Sequence, residues 1–294
     1  MSGLAAAEEL EDEGFDVVLI DRSDEHVYRS GMLSMINGRS ADDFSFSIGS
    51  HLKDRDITYH KEEITGFQTD EKIVETKEDS YGYDYLVVAL GGQVKQPSFS
   101  SNYTNNFYSI ESAENSVEEL EGADSAIIIG AGFTGVEAAM RLDSKGLNTC
   151  IVDSSTRPLS DLGENISEKV LGLLNSREIS FMGGKEVAEA PNYGVEFVDG
   201  SDKEADIVVW CGGIEASEIV QDCFDTGGEG ISVNRGLSAV DFEDVYAVGK
   251  SADIEGSERA SEAVKQGRKA ARNIGRREGL LEDYEFYGGS RLLS

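Results

Sequence analysis

Basic residues are scarce in this chain. Its 294 residues hold 26 Lys and Arg against 57 Asp and Glu, a formal net charge of −31. Such a surface repels nucleic acid and anionic lipid, whose recognition rests on Lys and Arg at phosphates. The acids are spread along the chain and form no tail. That pattern predicts a halophilic protein of a salt-rich cytoplasm, where the Debye length shrinks to about 3 Å at 1 M salt. Cysteine is equally sparse, with only Cys150, Cys211 and Cys223. An odd number without a CxxC spacing argues against a disulfide framework and against a dithiol redox motif. His26, His51 and His60 show no metal-ligand spacing, so no metal site is expected. No apolar run approaches the roughly 18 to 20 residues of a membrane-spanning helix. An Ala cluster in residues 1–10 is cut short by Glu8 and Glu9 with no basic segment ahead of it. It does not read as a signal peptide, and a cytoplasmic location is expected.

What is present is enough chain for two domains, each with a core it can bury. The dominant pattern is an internal repeat. Residues 125–155 read SAIIIGAGFTGVEAAMRLDSKGLNTCIVDSS. An apolar run leads into Gly130, Gly132 and Gly135, a helical pattern ends at Gly146, and Cys150 to Val152 run to Asp153. This is strand, glycine turn, helix, strand, acid. Gly130 permits the tight turn, Gly132 admits a pyrophosphate to the backbone, and Gly135 lets the helix pack close to the strand. N–H groups at the helix start bind phosphate, and Asp153 accepts from a ribose. A lone GxGxxG is weak evidence. Framed by two strands, with the acid 18 residues past the third glycine, it predicts a dinucleotide site.

A shift of 132 positions finds a second copy. Met1 falls on Phe133, Ser2-Gly3 on Thr134-Gly135, Leu10 on Leu142, and Gly14 on Gly146. Val18 to Ile20 fall on Cys150 to Val152, and Asp21 on Asp153. This copy is entered in its middle, so its first strand and first two glycines are expected to be missing. The remaining periodicity predicts strands with turns over 57–90, helices over 111–121 and 164–176, and strands near 178–182, 194–198, 206–211 and 245–248. A last helix is expected over 257–276. In the helix 164–176, Ile166, Val170, Leu173 and Leu174 share the expected apolar face.

With these residues assembled, the sequence resembles the FAD-dependent pyridine nucleotide-disulfide oxidoreductases, flavoproteins with two dinucleotide-binding domains. Within them it is most similar to the type II NADH dehydrogenase-like group. Four segments carry the resemblance: SGLAAAEEL with Asp21, YDYLVVALGG, the repeat at 126–153 with GFTGVE, and DVYAVGKSADI followed by SERASEAVKQGRKAARNI. The resemblance implies an α/β fold of two Rossmann-like domains, the NAD domain (106–234) inserted in an incomplete FAD domain (1–105 and 235–294). It implies FAD near Gly3, Asp21, Ile64, Ala89, Gly91, Gly249 and Lys250. It implies NAD(H) near Gly130, Gly132, Thr134, Gly135, Asp153 and Gly212, with Glu137 near the reacting rings. Asp153 favours NADH, because a carboxylate repels a 2′-phosphate. The implied activity passes a hydride from NADH to flavin and electrons to a small-molecule acceptor, a quinone or similar. No nucleic-acid partner is implied. A homodimer and peripheral association with the cytoplasmic side of a membrane are compatible with it.

Glu137 has a second reading, as a first-turn helix acid favoured by the macrodipole. Cys211, in VVWCGG, reads as a buried small hydrophobe rather than a nucleophile. The sequence also departs from the family. The family's closing Gly-Asp is Gly249-Lys250 here, and a lysine cannot accept a hydrogen bond. The helix after it keeps only part of the family's Gln pattern, as Ala260-Ser261 and Lys265-Gln266. Ser294 precedes the C-terminal region that relatives use for docking or dimerisation. These departures leave two further readings open: a flavin-free NAD(H)-binding partner protein, and a shortened reading frame of a full enzyme.

Overall fold

The computed structural model describes residues 1–101, 105–191, 193–224, 226, 230–254 and 260–280. The chain begins with helix α1 (Ser2–Asp12) and strand β1 (Val17–Asp21). Strands β2 (Ile57–Lys61), β3 (Ile64–Gln68), β4 (Ile73–Thr76), β5 (Ser80–Gly82) and β6 (Leu86–Val88) follow. Next come α2 (Ile110–Glu119), β7 (Ser125–Ile129), α3 (Phe133–Lys145), β8 (Asn148–Asp153) and α4 (Glu164–Ser176). Strands β9 (Ser180–Gly183), β10 (Val187–Ala190), β11 (Gly194–Phe197), β12 (Asp202–Glu204) and β13 (Ile207–Trp210) continue the chain. Strand β14 (Val245–Ala247) and helix α5 (Ala260–Arg277) come last. Of the helix expected over 257–276, residues 257–259 lie outside the described residues, as do 281–294 of the expected flavin domain.

Two compact units result. The first holds Met1–Tyr28, Ser45–Gln93 and Ile214–Ser294; the second holds Arg29–Phe44 and Val94–Gly213. These differ from the expected spans at the joins. Residues 29–44 go with the second unit because Met32, Leu33, Met35 and Ile36 bury their side chains there, in a segment packed on α2 and α3. Residues 214–234 go with the first because Val220, Phe224, Ile231 and Val233 share a cluster with β14.

In the second unit a four-stranded parallel sheet has the order β9-β8-β7-β13. A strand covered on both faces reads as continuous apolar sequence, which is why β7 carries three isoleucines in a row. Ile127, Ile128 and Ile151 are fully buried, and each such burial contributes about 1.5–3 kcal/mol. α3 lays Gly135, Val136, Ala138, Ala139 and Leu142 against this sheet and stops at Gly146, which takes the left-handed conformation of a C-cap (φ 99°). An antiparallel β10-β11-β12 meander follows. The apolar face expected of α4 is only partly realised. Ser167 and Leu174 face inward, while Ile166 and Leu173 are 41% and 40% exposed. The helix is rotated so that the Ser167 hydroxyl donates to the Leu159 carbonyl (3.4 Å).

The first unit repeats this construction. α1 lies 132 residues before α3, and β1 before β8. The Phe15 N–H donates to the Leu10 carbonyl as the Leu147 N–H does to Leu142, both at 3.1 Å. Here, however, among the described residues β1 pairs with β2 alone and β6 with β14 alone, as two parallel pairs in separate sheets. β3, β4 and β5 form an antiparallel sheet of their own. α1 packs along α5, where a Cβ on Gly267 would lie 2.1 Å from the Ser2 carbonyl oxygen. Both units are thus Rossmann-like α/β layers.

Candidate functional site

The second unit brings the glycine motif and Asp153 into one turn. Gly130 follows β7 with φ 108°, a conformation that favours glycine. Its N–H donates to Val152 (2.9 Å), and a Cβ on it would lie 2.5 Å from the Cys211 carbonyl oxygen. A Cβ on Gly135 would lie 1.8 Å from the Gly130 carbonyl oxygen, so α3 seats directly on the turn. Gly132 is the N-cap of α3, and the space beside its Cα is open. Thr134 stands in the first turn, where helix N–H groups have no intrahelical acceptor and favour anions.

Asp153 ends β8 with both oxygens engaged. Oδ2 accepts from the Ala131 N–H (2.6 Å) and Oδ1 from the Ser155 N–H (2.7 Å). A carboxylate has about four lone-pair sites, so two remain for ribose hydroxyls. Ser155 and Ala131 were not expected in this role. The signal was present, because Asp21-Arg22-Ser23 repeats the spacing, and the Ser23 N–H donates to Asp21 Oδ1 (2.9 Å).

Gly212 follows β13 against the ring of Trp210, where an added Cβ would lie 2.0 Å from the indole carbon Cζ2. The Trp210 Nε1–H donates to the Lys95 carbonyl (2.8 Å). Glu137 lies one turn into α3 and pairs through Oε1 with Arg141 Nε and Nη2 at 3.0 and 2.8 Å, an i,i+4 contact with a 47% exposed carboxylate side. Cys211 is buried, and desolvation pushes its thiol up to about 12, because burial penalises the thiolate. At pH 8 only about one thiol in ten thousand is then ionised. Iodoacetamide at that pH should therefore label Cys211 only after denaturation. Rapid labelling of the folded chain would contradict the burial.

In the first unit a smaller constellation forms around the start of α1. A Cβ on Gly3 would meet Ala89 Cβ at 3.0 Å, and one on Gly249 would meet Ser2 Oγ at 2.8 Å. The Gly249 N–H donates to Oε1 of the fully buried Gln266 (2.7 Å), a positioning contact that sequence reasoning missed. Gly91 sits after β6 with φ 73°. Lys250 is buried at 8% exposure, and its stem runs beside Gly92, where an added Cβ would lie 2.8 Å from Lys250 Cγ. Asp21 ends β1. Ile64 begins β3, across from Thr76 in the antiparallel sheet, rather than in the parallel pairs that hold Asp21 and end just before Ala89.

Comparison with known proteins agrees with this architecture. Residues 1–267 match the pyridine nucleotide-disulphide oxidoreductase family. The assimilatory nitrate reductase electron transfer subunit of Bacillus subtilis is 25% identical over 282 residues, covering 87% of this chain and 35% of its own length. This chain therefore spans about a third of that relative. The type II NADH:quinone oxidoreductase of Staphylococcus saprophyticus is 25% identical over 301 residues, covering 88% of this chain and 75% of its own. Among solved structures, the ferredoxin reductase for the CYP199A2 system from Rhodopseudomonas palustris superposes with a TM-score of 0.84 at 20% identity, over 98% of this chain and 76% of that one. With two Rossmann-like units and a match across most of its length, the chain belongs to the pyridine nucleotide-disulphide oxidoreductase family of FAD/NAD(P)-binding proteins, related to type II NADH dehydrogenase-like members.

Proposed function

We propose that this chain is an NADH-dependent oxidoreductase that takes NADH on its second unit and a flavin dinucleotide on its first. The observation that carries the reading is Asp153, a carboxylate at the strand end tied to the glycine turn through the Ala131 N–H. A residue so placed accepts from a free 2′-hydroxyl and repels a 2′-phosphate. The residues fit NAD(H): open backbone at Gly132, a helix start at Thr134, and the acid beside both. Those of the first unit fit a second nucleotide in part: Asp21 matches Asp153 as a ribose acceptor, and Gly3, Ala89 and Gly249 lie about the start of α1, without a counterpart of the Gly130–Gly132 turn among the described residues.

Flavin, when bound, supplies the hydride acceptor and the release of electrons to a second substrate. This chain's residues orient the nucleotides, and Glu137 with Arg141 sets charge on the exposed side of α3. A quinone-class acceptor is favoured by the relative named as a type II NADH:quinone oxidoreductase. We take any contact with a membrane-borne quinone to be peripheral, on the cytoplasmic side; no helix among the described residues is long and apolar enough to cross a membrane. Cytoplasmic NADH would then meet the protein on that side.

One observation favours a second reading, a flavin-free NAD(H)-binding partner protein. Lys250, buried next to Gly249, is a cation where an acceptor is needed. A visible spectrum of the chain purified in concentrated KCl decides between them. Flavin bands in the blue that NADH bleaches are the expected result. A colourless protein that binds NADH supports the second reading, and failure to bind either nucleotide ends both.

A further inference from the structure

Two cations flank Asp153, on the two segments that close around its end of β8. The first is Arg157, the middle residue of a short loop tied at both ends. At one end the Ser155 N–H donates to Asp153 Oδ1 (2.7 Å), and at the other the Leu159 N–H donates to the Ala131 carbonyl (2.9 Å). The second is Lys185, whose own N–H donates to the Asp153 carbonyl (3.0 Å). The Gly184 N–H donates to the Ser155 carbonyl (3.0 Å), so the two segments are also joined to each other. Strand β9 brings Lys185 here by pairing in parallel with β8, Gly183 opposite Asp153.

A cation near the ribose acid is what a 2′-phosphate needs. Arg takes a phosphate through paired N–H donors, and Lys takes it as a point charge. Each cation here is instead held by an acid. Arg157 Nη1 donates to Oε1 of Glu164, the first residue of α4. Lys185 Nζ donates to Asp199 Oδ2 (2.5 Å) and to Ser201 Oγ (3.0 Å), and sits 5.1 Å from the centre of the Phe197 ring. Asp199 is itself braced, since its Oδ1 accepts from the Ser201 N–H (3.0 Å). Glu164 raises the Arg157 guanidinium above its usual range, and Lys185 with Ser201 holds the Asp199 carboxyl below its own.

Both pairs are partly open to solvent, and such pairs add little to stability. Their consequence is for binding. At 1 M salt the Debye length is about 3 Å, so groups in contact still attract while a cation further from a phosphate counts for little. Whichever anion each cation touches therefore decides what it contributes.

We infer that Glu164 and Asp199 are specificity-determining residues, which keep Arg157 and Lys185 from a 2′-phosphate. NADPH is then refused by three acids: Asp153 by repulsion, the other two by withholding the cations. This lock presupposes the NADH site proposed above, and adds to it the groups that set its selectivity.

Fluorescence titration of the full chain with NADH and with NADPH tests the lock. Glu164→Gln and Asp199→Asn each remove one charge, and Asp199→Asn keeps an oxygen for the Ser201 N–H. NADPH should bind about two- to fivefold tighter in each, and tighter by about the product of the two factors in the double variant. NADH affinity should stay within about twofold, since its 2′-hydroxyl needs Asp153 and no cation. Adding Arg157→Gln to Glu164→Gln, or Lys185→Gln to Asp199→Asn, should return NADPH to its starting affinity. Glu114→Gln, which removes an equal charge from an exposed position on α2, should leave both nucleotides unaffected. Unmoved NADPH binding in the double variant, with NADH still bound, would overturn the lock and spare the site. So would a gain that survives the loss of Arg157 and Lys185, or one that Glu114→Gln reproduces. A starting chain that binds both nucleotides equally, or neither, would sink the NADH reading and the lock with it.

Discussion

Gly135→Ala should cost the second unit about 2–4 kcal/mol and lower its melting temperature by roughly 5–15 °C. The added Cβ would sit 1.8 Å from the Gly130 carbonyl oxygen and 3.4 Å from Cys211 Cβ. Neither neighbour can give way. Gly130 is held by its bond to Val152 and lies hard against the Cys211 carbonyl. α3 must therefore lift from β7, taking Val136, Ala139 and Leu142 out of close packing. NADH affinity should fall with it, because the helix N-terminus leaves the turn. Gly132→Ala is the matching control. Its Cβ meets no atom within 4 Å, so folding should be unaffected, while the methyl enters the space needed by a pyrophosphate. Thermal unfolding by circular dichroism and NADH titration by fluorescence separate the two. An unchanged melting temperature for Gly135→Ala would refute the close seat of α3.

Asp153→Asn should weaken NADH binding about 10- to 100-fold, the loss of one or two charge-assisted hydrogen bonds. NADPH should lose less, because the substitution also removes repulsion of its 2′-phosphate. The gap between the two nucleotides therefore narrows. Asparagine is a cleaner choice than arginine at this position. Asp153 accepts from Ala131 and Ser155 on its two oxygens. Arginine would remove both acceptors and deform the turn, confounding binding with folding, whereas asparagine keeps one. A variant with an unchanged NADH-to-NADPH preference would remove Asp153 from the ribose site.

Much of the second unit could be read directly because its signals are local. A glycine turn, a run of isoleucines and a C-cap glycine each act over a few residues, and Gly130, Gly146 and α4's span lie where that chemistry put them. The strands Val187–Ala190 and Asp202–Glu204 were not foreseen. They are short, carry Glu189, Asp202, Lys203 and Glu204, and gain their structure from pairing with β11. Ile166 and Leu173 were assigned to the core by periodicity alone. Period fixes which residues share a face but leaves the rotation of that face to the neighbours.

The amino-acid order alone determined the duplicated strand-turn-helix-strand unit, its register and its terminal acids, because tight turns and buried strands restrict residue type one position at a time. Tertiary structure decided the rest. It placed residues 29–44 with the second unit, gave Asp153 its bond to Ala131, and set β1 and β6 under one helix in separate sheets. Those outcomes depend on contacts between residues far apart in the chain, whose energies no local pattern encodes.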